Sequence, residues 1–461
     1  MKRFDLNEAM REDKERPVLI VGAGITGCVA GHRLARQGHR VVIVEKEKQV
    51  GGLSRTFRYG GFGFDIGPHR FFTTKPEVLA CIRETLRDRY RILPRKSSIY
   101  FLGRHYSWPL RPASLLHLPA HLRLRSLRDL LRIFSRSRPP DKDDFENYIL
   151  SHYGPTLYNS FFKEYTAKFL KHAPPEIHVD WAKSSIQRAV IDGRIAHESL
   201  FDILKLVLRL RAAKTEFMYP DDGIDVFCRT LADEIVNLYG GRVLTGAQVT
   251  AVRHDAGLIK EVAFDGLKVA PRAVVWTGKI NDACRLLGVP DPGLYYLSLV
   301  LYNFEIERPL RSATQWTYYG SKEIFSRVSI PKLFSERLAP AGKHGLCVEV
   351  TCREHDRCWN NPGVLIGKVI HDLAKVGLLK GPAEIGDMHV EKVADAYPVY
   401  ILDYRKRLET VIQEMGSFRN FVLAGRSGLF WYNNMDDSIE NGIAVAEKIA
   451  QDTREEMSFV C

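Results

Sequence analysis

Three glycines near the start of the chain have the spacing of a phosphate-binding turn. Gly22, Gly24 and Gly27 form a G-x-G-x-x-G pattern between the apolar run PVLIV and a helical pattern. There the first glycine permits a tight turn, the second lets a pyrophosphate approach the backbone, and the third lets helix and strand pack closely. A second strand-like run ends at Glu45, whose carboxylate can bind ribose hydroxyls. The pattern predicts a βαβ unit that binds a dinucleotide; the alternative is a glycine-rich turn with a surface glutamate.

A second glycine-rich loop follows directly. Gly51 and Gly52, with Leu53 and Ser54 after them, provide a backbone that can lie against a second phosphate or the flavin end of a cofactor. This loop resembles the FAD-binding signature of flavoproteins with two dinucleotide-binding domains. The predicted cofactor is therefore FAD, and a plain β-turn is the alternative interpretation.

The elements that position these loops predict an α/β fold, in which a discontinuous Rossmann-like FAD-binding domain carries an inserted mixed substrate domain and a helical region. The predicted segments are FAD-binding parts at 17–111, 216–290 and 396–461, a mainly helical substrate or oligomer region at 112–215, and an antiparallel-sheet substrate domain at 291–395. Strand-like runs after Val243 resemble a β-meander that returns to the first sheet. A final helix is expected from about Asp436 to Gln451.

Composition narrows the classes of function. The chain has 461 residues, 45% of them apolar, and a formal net charge of +12. These values exclude general disorder, and no apolar run is long enough for a membrane-spanning helix. The positive charge fits nucleic acid, an anionic membrane surface, a phosphorylated substrate or an ordinary basic surface.

The cysteines and the first residues bear on location. Eight scattered cysteines without a C-x-x-C pair favour free thiols in a reducing compartment, so a cytoplasmic location is predicted. Cys352 and Cys358 lack a zinc-type spacing, and no metal site is expected. The charged first seventeen residues are expected to be a mobile leader rather than a secretory signal.

Later motifs carry a more specific resemblance. The string DIGPHRFF at 65–72 resembles a segment of UDP-galactopyranose mutases and their amine-oxidase-like relatives. Further segments follow in the family's order: YSWPL at 106–110, FKEYTAK at 162–168, VDWA at 179–182, and GRSG at 425–428 with YNNMD at 432–436. The resemblance spans about residues 17–451. It implies FAD bound without a covalent link and a nucleotide-sugar substrate, whose pyranose and furanose forms interconvert by covalent catalysis through N5 of the reduced flavin.

The resemblance also implies roles for residues at the reaction centre. His69 is expected beside the isoalloxazine, or as an ordinary core histidine. Arg426 is expected to reach the diphosphate, with a surface arginine in a turn as the alternative. Arg327 matches a second phosphate-binding arginine of the fungal-type enzymes, and a solvated strand residue is the alternative. Tyr397 and Tyr432 match tyrosines that contact the diphosphate, and buried tyrosines with satisfied hydroxyls are the alternative for both.

The cofactor residues implied by the resemblance lie in the middle and at the end of the chain. Val249 matches the strand residue whose backbone meets the adenine end. Gly425 belongs to the closing motif, and Asn434, Met435 and Asp436 lie at the final helix, whose N-terminus should stabilise negative charge on the flavin pyrimidine. A simple N-cap is the alternative for Asp436.

Departures from the family pattern cluster where substrate should bind. Leu170, Ser185 and Trp431 stand where relatives usually have tryptophan, arginine and arginine. These changes keep a second function open: an FAD-dependent oxidase or dehydrogenase acting on an amine, alcohol or sugar. A flavin-binding protein without catalysis is the third.

Two further stretches bear on partners. The segment 122–138 predicts a basic amphipathic helix, either a solvated surface helix or a peripheral contact with anionic lipid. The apolar segment 200–211 is expected to be buried or to lie at an interface of a homo-oligomer. No pattern indicates nucleic-acid binding, so the predicted partner is a nucleotide sugar or another small molecule.

Overall fold

A parallel sheet carries the first glycine turn. The computed structural model describes residues 16–108, 117–134, 142–189, 216–320 and 322–458. The strands of this sheet are β1 (Val18–Val21), β2 (Val41–Glu45), β9 (Arg242–Thr245), β13 (Ala273–Trp276) and β19 (Phe421–Leu423). They lie in the order β19-β13-β1-β2-β9, and each neighbouring pair is parallel. The sheet draws strands from the start, middle and end of the chain, and the predicted α/β fold class is confirmed.

Alternation of side chains explains why such short runs form a sheet buried on both faces. Val18 and Ile20 of β1 point into one apolar cluster, and Leu19 points into another on the opposite face. The residues of β2 alternate in the same way. Parallel strands that are buried on both faces have continuous apolar sequences, and β1 and β2 have such sequences.

Close helix packing supports the carboxyl end of this sheet. Helix α1 (Ile25–Arg36) joins β1 to β2 and packs against the last described helix, α13 (Met435–Ser458). Thr26 Oγ1 donates to the Ser438 carbonyl at 2.9 Å. A Cβ at Gly442 would lie 2.8 Å from the Thr26 carbonyl oxygen, so only glycine permits this approach. The first residues of both helices are thereby held near each other.

A larger mixed sheet faces the parallel one across the cavity described below. Its strands are β6 (Ser97–Phe101), β7 (Arg104–Trp108), β14 (Tyr296–Ile306), β15 (Trp316–Tyr319), β16 (Arg327–Ser329), β17 (His344–Cys352) and β18 (Ile385–Pro398). Their order is β18-β14-β17-β16-β15-β6-β7. All pairs are antiparallel except β15 with β6.

Three small sheets complete the strands. They are β3 (Thr56–Tyr59) with β4 (Phe62–Asp65), β5 (Tyr90–Pro94) with β8 (Glu216–Pro220), and β10 (Val249–Asp255), β11 (Leu258–Phe264) and β12 (Leu267–Val269). The expected continuous meander after Val243 is wrong in part. Only β10 to β12 form a meander, because β9 pairs with β2 and β13 pairs with β1 in the parallel sheet.

The other helices lie around these sheets. They are α2 (Pro76–Leu86), α3 (Ala120–Phe134), α4 (Phe145–Leu157), α5 (Lys163–Leu170), α6 (Val179–Ala189), α7 (Val226–Asn237), α8 (Ile280–Leu287), α9 (Arg357–Asn360), α10 (Ile366–Lys375), α11 (Tyr404–Met415) and α12 (Gly425–Gly428). Among the described residues, no helix is both long and apolar enough to cross a membrane.

Helix α3 is the first part of the basic amphipathic segment. Leu124, Leu127 and Leu131 are exposed along one side of it, and Asp129 is buried. Residues 135–138 and the apolar segment 200–211 lie outside the described residues. Membrane contact and oligomer formation through these segments therefore stay predictions.

Candidate active site

A large cavity opens at the carboxyl ends of β1 and β2. Its volume is about 1470 Å³, and its walls come from both large sheets and from helices α3 to α6. Pockets for a single small ligand usually measure about 300–1000 Å³. The cavity therefore has room for a cofactor and a second molecule.

The two glycine loops touch each other at the rim of this cavity. Gly24 forms a parallel bridge with Gly51, and the Gly51 N–H donates to the Ala23 carbonyl at 2.8 Å. A Cβ at Gly52 would lie 3.1 Å from Gly24 Cα. Gly24 also precedes α1 without a side-chain cap, so backbone N–H groups at the helix start remain available to an anion. The loops make a narrow cradle that suits a pyrophosphate.

We expect Gly52→Ala to weaken FAD binding and lower the FAD content of the purified protein. Gly52 has φ +56° and contacts the Gly24 backbone, so a methyl group would force the two loops apart. Gly38→Ala is the matched control, because Gly38 has φ +86° but no atom within 4 Å of an added Cβ. The control should lose about 1 kcal/mol of stability and keep FAD. The flavin absorbance per protein reports both outcomes, and equal FAD content in the two variants would contradict the cradle.

Glu45 lies where a ribose would bind. It is buried, lines the cavity, and accepts from the Ala23 N–H at 2.7 Å and from the Glu47 N–H at 2.9 Å. These two bonds orient the carboxylate and leave further lone pairs on both oxygens. Val249 also lines the cavity, at the start of β10.

The start of α13 corrects one interpretation. The helix begins at Met435, so Asp436 is its second residue and Asn434 precedes it. Asp437, not Asp436, reaches back to the Asn434 N–H, at 3.0 Å. Asp436 is therefore not an N-cap. Because Asn434, Met435 and Asp436 line the cavity, the positive end of the α13 dipole faces it.

His69 stands on the cavity wall as a neutral side chain. Burial, with smaller contributions from Arg327, Arg426 and Arg70, lowers the pKa of His69 to about 3. Its Nδ1 is buried and has no hydrogen-bond partner among the described residues. A buried polar atom without a partner at the cavity wall fits a polar edge of a bound flavin, as the sequence predicts.

Arg426 is packed between aromatic rings. Its guanidinium lies 4.6 Å from the ring centre of Tyr432 and 5.4 Å from that of Tyr397. It donates to the Asn433 carbonyl at 2.8 Å and to the Ala396 carbonyl at 3.1 Å and 3.2 Å. Backbone oxygens therefore already fix the position of the Arg426 side chain, which is expected to reach a diphosphate.

Arg327 has a carboxylate partner that the sequence does not reveal. It donates to both oxygens of Glu349, at 2.5 Å and 2.6 Å, and to the Tyr397 hydroxyl at 3.4 Å. Glu349 is almost fully buried. The carboxylate fixes the planar fork of Arg327 and neutralises its charge, so Arg327 orients groups in the cavity more than it adds positive charge.

Of the residues that the sequence assigned to the cofactor and to catalysis, all but Gly27 line the cavity. Gly27 packs under the turn, where a Cβ would lie 2.0 Å from the Gly22 carbonyl oxygen. The residues to which the sequence assigned no role include four that line the cavity and one buried acid: Arg70, Arg95, Tyr165, Tyr318 and Glu349. Two signals in the sequence could have found some of them. Glu349 is the single acid in the apolar run LCVEV, and Arg70 directly follows His69.

We expect a pH effect on stability from Asp65, which ends the strand before His69. Burial raises the pKa of this carboxyl from 3.8 to about 6, although Tyr219, Thr56 and the Ile224 N–H donate to it. The folded state then holds a proton that the unfolded state has released, so the stability that Asp65 contributes falls as the pH rises from about 3 to about 7, by about 3 kcal/mol in all.

Urea unfolding of the wild type and of Asp65→Asn across this interval tests the effect. The difference in unfolding free energy should change by about 2 kcal/mol between pH 4 and pH 6. A difference that is constant with pH would contradict the raised pKa.

Comparison with known proteins assigns a family. The model for flavin-containing amine oxidoreductases matches residues 25–450. The chain belongs to the flavin-containing amine oxidoreductase family. The predicted family and the predicted FAD cofactor are confirmed, and the chain is an FAD-dependent enzyme of this family.

Solved structures share the fold over nearly the whole chain. A reduced UDP-galactopyranose mutase superposes with a TM-score of 0.81 at 20% identity, over 95% of this chain and 94% of that one. A putrescine oxidase with bound putrescine has a TM-score of 0.59 at 15% identity, over 95% and 99% of the two chains. At these identities the likeness concerns the fold alone.

Curated sequence relatives match only a short piece. A 4,4'-diapophytoene desaturase of Staphylococcus haemolyticus is 53% identical over 73 residues, which is 16% of this chain and 14% of the desaturase. The desaturase of Staphylococcus aureus is 47% identical over 51 residues, 11% of this chain and 10% of that enzyme. So short a match does not transfer the desaturase activity.

The site fits FAD. The Gly24–Gly52 contact would hold the pyrophosphate, Glu45 the ribose, and the start of α13 the flavin pyrimidine, while the unpartnered Nδ1 of His69 faces the same cavity.

Proposed function

We propose that the protein interconverts the pyranose and furanose forms of a nucleotide-diphosphate sugar without net oxidation. One observation carries the proposal: Arg70, Arg95, Arg327 and Arg426 line one cavity beside His69, and neither Arg70 nor Arg95 forms an ion pair with a described residue. Such a site attracts a diphosphate and repels the cation of an amine substrate.

The chain's own groups support binding of the diphosphate. Burial raises the pKa of Tyr165 and of Tyr397, so both phenols stay protonated and can donate to phosphate oxygens. Arg426, which lies against the Tyr397 ring, presents positive charge to the leaving diphosphate, and Arg327, which donates to the Tyr397 hydroxyl, orients it. His69 is neutral and cannot protonate a leaving group at neutral pH. These residues therefore bind and orient the substrate.

When bound and reduced, FAD supplies a nucleophilic nitrogen for covalent catalysis with no net redox change. The aromatic wall of the cavity, which includes Phe101, Phe161, Phe169 and Trp181, would keep water away from the reacting sugar.

A second function remains: an FAD-dependent oxidoreductase acting on an anionic, largely apolar substrate. The same aromatic wall favours it, because it offers more apolar surface than a sugar needs. An amine substrate is disfavoured by the arginines in either case.

Redox dependence separates the two functions. UDP-galactopyranose and other UDP-hexopyranoses are incubated without oxygen, with the flavin either oxidised or reduced by dithionite, and the sugars are separated by chromatography. The proposal expects a new ring isomer only with reduced flavin and no consumption of reductant. Bleaching of oxidised flavin by the substrate would instead establish the oxidoreductase.

Binding is measured separately by thermal shift of the oxidised holoenzyme. A nucleotide sugar at 100 times its dissociation constant should add about 2.7 kcal/mol of stability. If none of the nucleotide diphosphates or sugars shifts the melting temperature, the nucleotide-sugar proposal is wrong.

A further inference from the structure

Two arginines of the cavity share one indole ring. The guanidinium carbon of Arg70 lies 4.8 Å from the ring centre of Trp316, and that of Arg95 lies 5.3 Å from it. Both side chains line the cavity, and Trp316 is 1% exposed. The two positive charges are therefore held near each other in a poorly solvated place.

Neither arginine forms an ion pair with a described carboxylate, although Asp436 attracts Arg70 from a greater distance. No carboxylate lies within 4.0 Å of either group, and Arg70 makes no side-chain hydrogen bond to a described residue. Arg95 Nε donates to Ser97 Oγ at 3.1 Å, but its Nη1 is buried without a partner. Burial, followed by the nearby charge of Arg70, lowers the pKa of Arg95. Each charge thus costs folding free energy that no ion pair within the described residues offsets.

Other arginines of the same region are different. Arg55 pairs with Glu47 at 2.8 Å, and Arg58 pairs with Asp225 at 2.8 Å. The fold therefore supplies carboxylates where an arginine is structural. The missing partner at Arg70 and Arg95 points to a ligand.

The position of Arg70 and Arg95 relative to Arg327 indicates over which residues a bound ligand would extend. Trp316 and Tyr318 are two residues apart on β15, so they lie on one face about 7 Å from each other. Arg327 pairs with Tyr318 across the sheet and lies 5.8 Å from its ring. Burial pushes the pKa of Tyr318 upward, yet Arg327, Arg95 and Arg70 outweigh it and lower that pKa. Arg70 and Arg95, at Trp316, therefore lie two residues along β15 from Tyr318, which neighbours Arg327 of the proposed diphosphate site.

We propose that Arg70 and Arg95 form a second anion subsite, which binds a phosphate group of the substrate beside Trp316. The identity of the substrate rests on the proposed function, whereas the presence of the subsite does not depend on it. Arginine forks bind phosphate oxygens in bidentate geometry, and both side chains line the cavity beside Trp316. The other possible source of a phosphate is FAD itself.

The test measures binding of inorganic pyrophosphate and of UDP to the FAD-loaded protein by calorimetry. Arg70→Met and Arg95→Met should each weaken pyrophosphate binding ten-fold or more, because methionine keeps the packing on Trp316 and removes the charge. Arg70→Lys and Arg95→Lys keep the charge and should lose less. Arg104→Met is the matched control, since Arg104 is exposed on the neighbouring strand and does not line the cavity.

Three results would overturn the subsite. Pyrophosphate binding unchanged in both methionine variants would show that Arg70 and Arg95 do not hold the anion. Equal weakening in Arg104→Met would show a general charge effect. Loss of FAD from the methionine variants, with pyrophosphate binding restored on adding FAD, would assign the phosphate to the cofactor.

Failure of the proposed function leaves a different pattern. If no nucleotide sugar is converted but the methionine variants still lose pyrophosphate binding, the subsite stands and the substrate class is wrong. If conversion occurs and the variants bind pyrophosphate like the wild type, the function stands and the subsite is wrong.

Discussion

Replacing Arg426 with alanine is expected to lower kcat/KM by at least about 100-fold while FAD stays bound. The guanidinium is held at 4.6 Å from the Tyr432 ring and donates to two backbone carbonyls, so its position is fixed before substrate enters. A preorganised positive group at developing negative charge contributes roughly this much to catalysis. The FAD cradle of Gly24 and Gly52 does not involve it.

Two variants make this result interpretable. Arg426→Lys keeps the charge but loses the planar group whose three nitrogens donate to Ala396 and Asn433, and its activity should fall between those of the alanine variant and the wild type. Arg419→Ala removes an exposed arginine just before β19 and should change nothing. Turnover of Arg426→Ala at the wild-type rate, with normal flavin absorbance, would remove Arg426 from the proposed mechanism.

The cofactor half of the site could be predicted because its chemistry depends on local sequence. The turn at Gly22 needs φ +105°, which few residues other than glycine adopt, and Gly27 has no room for a side chain. Such constraints act over a few residues and leave a spacing that can be read directly. Glu45 follows the same logic, because it ends the strand next to that turn.

The substrate half depends on which strands become neighbours. Arg327 meets Glu349 only because β16 and β17 pair in the register Arg327↔Glu349, and the two residues lie 22 positions apart. Arg70, Arg95 and Trp316 belong to three separate segments of the chain, and both arginines lie against the Trp316 ring. No periodicity in the sequence encodes these contacts. Resemblance to a family found Arg327 and missed its partner for this reason.

The Arg327–Glu349 pair has the second large expected effect. Glu349 is 2% exposed, and Arg327→Met would leave its carboxylate buried without a counter-charge. Breaking a buried pair from one side costs about 3–5 kcal/mol. We expect Arg327→Met to unfold at clearly lower urea concentration than the wild type and to lose nucleotide-sugar conversion.

The double variant Arg327→Met with Glu349→Gln separates stability from function. It removes both charges and keeps similar volumes, so most of the lost unfolding free energy should return, whereas conversion should not, because Tyr397 and the diphosphate still lack their guanidinium. Urea midpoints and conversion rates of the wild type, the two single variants and the double variant complete the cycle. A double variant as unstable as Arg327→Met would show that the pair does not act through its buried charges, and a double variant that regains conversion would show that the proposed diphosphate site does not need Arg327.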